Sequence, residues 1–98
     1  MGACEVPLEI MRQCAVVVDA CDLMAHKGSR MAVTDAGASA VLAKAAMQAA
    51  SLNVLINIGS MADTDRAAAF EAEMSALLQG CGPKADAAYE LVVEGLAR

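Results

Sequence analysis

Ile10, Cys14, Val17, Cys21 and Met24 recur at spacings of four, three, four and three, which places them on one face of a helix. Arg12, Asp19, Asp22 and His26 fall on the opposite, polar side. Pro7 suits a first turn, where its missing N–H costs nothing, and Lys27 followed by Gly28 marks the end. The pattern predicts a first helix over about residues 7–27 and a connection over 28–33. Thr34 or Asp35 then offers an oxygen to cap a long second helix that runs to about Ile58 and stops at Gly59–Ser60. Gly37, Ala38, Ala40, Ala43 and Ala45 permit close backbone approach in its first half, whereas Leu52, Leu55, Ile56 and Ile58 are bulkier. A third helix begins near Asp63 or Thr64 with Ala67, Phe70, Met74, Leu77 and Leu78 on one stripe. Gly80–Cys81–Gly82–Pro83 reads as a break, and a fourth helix follows from Pro83 to Ala97 with Ala85, Tyr89, Val92 and Leu96. No segment reads as a strand. The expected fold is all-α, a bundle of about four helices with one long central helix.

Ninety-eight residues hold at most one domain. The chain is 58% hydrophobic, but much of that is alanine and only Phe70 and Tyr89 are aromatic. Its core must therefore come from thin contacts between closely packed helices, and some apolar surface is left for another copy or for the rest of a larger domain. The net charge of -5, with seven scattered basic residues, argues against nucleic acid, which needs clustered Lys and Arg. From Ala36 to Ile58 the only charge is Lys44, a length that would just span a bilayer. Gln48, Ser51, Asn53 and Asn57 interrupt that run, so a buried helix is expected rather than a membrane span. Cys4, Cys14, Cys21 and Cys81 show no zinc-type spacing and read as small core residues. Free thiols and no basic-then-apolar leader point to the cytoplasm.

Three groups of residues carry possible chemistry. Asp35, at the start of the long helix, is either a cap or a carboxylate presented to a ligand. Asn53 and Asn57, four apart, share a face of an apolar helix, and either pair helices or line a polar site. Asp19, Asp22 and His26 share a face that could bind a metal, although an exposed helical surface accounts for them and no metal is expected.

The run Val33-Thr34-Asp35-Ala36-Gly37-Ala38, then Ala43-Lys44-Ala45-Ala46, then Leu52-Asn53-Val54-Leu55-Ile56-Asn57-Ile58 resembles the formiminotransferase-cyclodeaminase C-terminal domain family, which includes methenyltetrahydrofolate cyclohydrolases. Glu5-Val6-Pro7-Leu8 before it and Asp63 after it fit the same pattern, and the resemblance covers about residues 5–75. Thr34 stands where Ser is common. The family's earlier helices and Gly-rich segment have no counterpart, so the whole of 1–98 reads as the later half of such a domain. The resemblance implies a helical, dimeric domain acting on tetrahydrofolate one-carbon derivatives, as a cyclodeaminase or a cyclohydrolase. It implies Asp35 as the acid/base or charge-stabilising group, with Thr34, Asn53, Asn57 and Lys44 as substrate contacts. Lys44 or Arg30 would meet the anionic folate tail. The competing expectation is a non-catalytic helical remnant that only self-associates.

Overall fold

The computed structural model describes residues 4–97, with the side chains of Arg30 and Met31 outside the described set. It is all-helical: α1 (Glu5–Lys27), α2 (Arg30–Gly59) and α3 (Thr64–Ala97). The helices run up, down and up, and each packs on both others in a rod of 54 × 20 × 16 Å.

The α1–α2 connection is shorter than the sequence pattern suggests. Gly28 donates its N–H to the Met24 carbonyl at 2.7 Å, and Ser29 caps α2 by accepting from the Ala32 N–H at 3.3 Å. A hydroxyl placed before the first helical residue is a competent cap, so the helix starts there and not at Thr34 or Asp35. Gly28 has no room for a side chain: a Cβ would sit 2.9 Å from the Met24 carbonyl oxygen. At the start of α3, Asp63 caps by accepting from the Arg66 N–H at 3.0 Å, as its position suggests.

The fourth helix is the second correction. α3 runs unbroken through Gly80–Pro83. Its inward stripe passes Met74, Leu77, Cys81, Ala85, Ala88 and Val92 at spacings of three and four, with no slip of phase at the proline. Gly82 lacks the Cβ that would clash before a proline, so the helical conformation stays open to it. Packing on both sides of the Gly-Pro step then keeps the helix continuous.

The core has two parts. Cys4, Leu8, Met11, Met47, Val54 and Met74 build a bulky end. Val18, Cys21, Ala36, Ala40, Ala43, Ala85 and Ala88 build a thin end, where small residues let α2 and α3 come close. Gly37 belongs to the thin end, since a Cβ there would meet the Val92 side chain at 3.3 Å. Cys4, Cys14 and Cys21 are buried and Cys81 half-buried, all as free thiols. Burial pushes the Cys14, Cys21 and Cys81 thiols above their ordinary range.

Part of the expected apolar face of α1 turns outward. Cys14 and Cys21 are buried, but Ile10, Val17 and Met24 are exposed, with Leu8, Met11 and Val18 taking the inner positions. The apolar arc of α1 is wider than α2 and α3 together cover.

Ion pairs tie the seams. Arg12 grips Glu73 through Nε to Oε2 at 2.5 Å and a second bond to Oε1 at 2.7 Å, joining α1 to α3. Lys84 reaches Asp19 at 2.6 Å across the same seam. The polar side of α1 thus lies along α3 as well as facing solvent. The hydrogen bonds from Arg12 hold the Glu73 carboxyl below its usual 4.5, against a smaller upward push from burial. A carboxyl whose folded pKa is lowered adds stability above its unfolded value, and that contribution disappears as pH falls through the folded one. Both side chains are 38% exposed, so the pair is a modest one. Glu73→Gln is expected to cost about 0.5–1 kcal/mol at neutral pH. Denaturant melts should show that gap closing as pH falls below the ordinary carboxylate pKa and through the lowered folded one. A gap independent of pH would mean that the pair contributes through packing alone.

Candidate functional site

Asp35 lies in the second turn of α2, exposed, and it is not a cap. Its neighbours define a groove of about 460 Å³ between α1 and α2. Val16, Val17 and Met24 form the α1 wall, Ala32, Ala36 and Ser39 the α2 wall, and among the described residues Asp35 is the one charged residue lining it. A second groove of about 700 Å³ continues along the same seam, with Val6, Ile10 and Leu42 on its walls and Glu9 and Gln13 on its rim. The two share Val17 and Ser39, so they form one long apolar trough. The trough exists because α1 keeps Ile10, Val17 and Met24 outside the three-helix core.

Ser39 is the polar group that the sequence reading passed over. It stands four residues after Asp35, the spacing that brings two helical side chains onto one face, and it lines the same trough. Glu9 sits at the far end, its carboxyl lowered first by the Gln13 amide and then by Arg12.

The other candidates do not gather around Asp35. Lys44 follows nine residues later, which turns it roughly 180° around the helix. Its Nζ donates to Asp86 Oδ1 at 2.7 Å, beside a separate groove lined by Met47, Gln48 and Pro83. Asn53 shares the azimuth of Asp35 but lies roughly 27 Å along the axis. The Asn57 amide donates to the Asn53 carbonyl at 2.9 Å within the same helix, and Asn53 is exposed. Neither is buried as the apolar setting suggested, Asn57 being only half-buried. Thr34 is exposed next to Asp35. The Arg30 side chain lies outside the described residues.

On α1, Asp19 is engaged by Lys84, and His26 Nδ1 is 2.8 Å from the Asp22 carbonyl oxygen. Among the described residues, no three His, Cys, Asp or Glu side chains converge as a metal site. The stretch Ala32–Gly59 is long and apolar enough to cross a membrane by length and composition, and 33% of its most apolar window is buried.

Residues 1–76 match the family model described as formiminotransferase-cyclodeaminase. Over 90 residues, 92% of this chain, the sequence is 33% identical to the methenyltetrahydrofolate cyclohydrolase of Methylorubrum extorquens, and that match takes in 43% of the relative. The chain thus spans less than half the length of the curated relative it matches. Since the family match takes in most of the chain, the protein belongs to the formiminotransferase-cyclodeaminase family.

Proposed function

We propose that this chain contributes the reacting carboxylate of a methenyltetrahydrofolate cyclohydrolase-type site. The observation that carries the reading is the placement of Asp35, the single charged group among the described residues that line a largely apolar groove. The Val16, Val17 and Met24 wall offers a surface for a flat ring system, and the groove leaves Asp35 at its edge. Hydrolysis adds water to a cationic methenyl carbon bridging two nitrogens. An ionised carboxylate beside that carbon stabilises the positive charge and orients the attacking water, taking up its proton as the C–O bond forms and the C=N π pair returns to nitrogen, then giving that proton to the departing nitrogen as one C–N bond breaks. The name of the matched relative supports cyclohydrolysis over cyclodeamination. Thr34, next to Asp35 in sequence, and Ser39, one turn on and in the same groove, are the polar groups assigned to binding substrate.

The test is turnover by the full chain of methenyl- and formimino-tetrahydrofolate in parallel. Hydrolysis of the methenyl compound above the uncatalysed rate is expected. Ammonia release from the formimino compound alone would reassign the chain as a cyclodeaminase. Activity toward neither, with folate binding absent, would favour a helical remnant that only associates.

A further inference from the structure

Gly80, Gly82 and Pro83 stand in the middle of the 34-residue α3, although glycine and proline are the poorest residues for a helix interior. The packing does not call for them. A Cβ added at Gly80 would meet nothing within 4 Å, and one at Gly82 would meet only the Lys44 Cε at 3.9 Å, an ordinary contact. Pro83 is exposed and brings no N–H, so the Gln79 carbonyl loses its helical donor. Local rules broken with no gain in the core are expected where a chain builds a site.

Gly82 and Pro83 form the α3 wall of a groove of about 300 Å³ between α2 and α3. Met47 and Leu78 give it an apolar part, and Gln48 and Ser51 line its α2 side. A side chain at position 82 would extend toward the Lys44 arm and narrow the groove. Lys44 and Asp86 are the charged groups among the described residues that line it, with Nζ and Oδ1 2.7 Å apart and the Asp86 side chain 61% exposed. An ion pair that open holds together weakly, so a ligand can part it. The pair also selects the ligand. A simple anion drawn to Lys44 meets the Asp86 carboxylate, and a simple cation drawn to Asp86 meets the Lys44 ammonium. A molecule with both charged groups on one carbon satisfies both, its carboxylate accepting from Lys44 and its ammonium donating to Asp86. No net charge is then added to the groove.

We propose that this groove binds a free α-amino acid with an apolar side chain of the size of leucine or methionine. Its carboxylate takes Lys44, its ammonium takes Asp86, and its side chain lies on Met47, Leu78 and Pro83. The Gln48 amide, which has no side-chain partner among the described residues, is a second donor to the carboxylate. A groove at the small end of the range for ligand sites holds such a molecule and little more. Lys44 points roughly 180° around α2 from Asp35, so the site is separate from the trough and does not rest on the folate reading. Lys44 then serves this ligand and not the folate tail.

The test is a titration of the full, isotope-labelled chain with L-methionine, followed through backbone amide chemical shifts. A dissociation constant on the order of 1 mM is expected, with the shifts gathered on the α2 and α3 residues that line the groove. No shifts at tens of millimolar, or shifts gathered along α1 and around Asp35, overturn the site. N-acetyl-L-methionine keeps the carboxylate and L-methioninamide keeps the ammonium. Each should bind about tenfold more weakly or worse, and equal binding of either overturns the two-charge recognition. Because these analogues are read on the wild type, they decide even where a variant fails to fold. Lys44→Met and Asp86→Asn should each weaken binding by about tenfold or more with helicity unchanged, while Asp65→Asn at the other end of α3 should keep it. Unchanged binding in folded Lys44→Met or Asp86→Asn overturns the assignment of the pair. Methenyltetrahydrofolate carries an acylated glutamyl nitrogen, with no ammonium there, and should not displace methionine. Displacement would return Lys44 to the folate tail and overturn the separate site.

Discussion

Asp35→Asn is expected to lower folate turnover by about 100-fold or more, the usual scale for one acid/base group, with the thermal melt unchanged. The substitution keeps the shape and removes the charge and the exchangeable proton. Asp35→Ala sharpens the test. At a cap, that change would lose about 1 kcal/mol. Ser29 is the cap of α2, and Asp35 is an exposed residue of its second turn. Alanine is the better helix former there, so Asp35→Ala should melt at or slightly above the wild type while losing the same activity. Turnover of methenyl-tetrahydrofolate beside a melt separates the outcomes. Wild-type turnover in both variants would remove Asp35 from the chemistry. A drop in melting temperature shared by both would point to a structural role for the carboxylate.

Leu8→Ala is expected to cost about 3 kcal/mol, within the range for truncating a large core side chain. Leu8 is 0% exposed and sits among Cys4, Met11, Met47 and Val54, at the bulky end where the α1 start meets the α2 end. That end holds most of the large apolar side chains of the core, because the other is built largely of alanine. For a domain this small, such a loss is a large part of the total stability. Urea melts should show the midpoint fall with little change in slope. A loss under 1 kcal/mol would mean that Met11 and Met47, both flexible, close over the gap.

The helical class and the outer boundaries of the elements were legible because periodicity and end signals agree over most of the chain. Two errors share a cause: each trusted a local signal against a longer one. Gly80–Pro83 is a strong local breaker, yet the stripe from Met74 to Val92 keeps one phase across it. Thr34-Asp35 is a fair cap, yet Ser29 stands one residue before the first helical position and ends the competition earlier. On the site, the resemblance pointed to Asp35, and the structure places it on an apolar trough. That Lys44 faces away followed from the nine-residue separation alone, had the angle been counted. The trough was not legible, because periodicity shows that Ile10, Val17 and Met24 are apolar and on one side but not that α2 and α3 leave them uncovered. Ser39 was passed over because a lone serine among alanines carries no signal until a groove gives it a setting.

The continuity of α3 separates two boundaries that are easily taken for one. The family match ends at residue 76, inside the helix and short of Ala85, Ala88 and Val92. Those three side chains roof the thin end of the core, over Ala36, Gly37, Ala40 and Ala43. A chain ended where the family match ends would leave Val18 and Cys21 with no third helix over them, although nothing in the matched motif had been touched. The stretch that carries the family match is therefore shorter than the packed core, and the later part of α3 serves the matched residues as their lid against water.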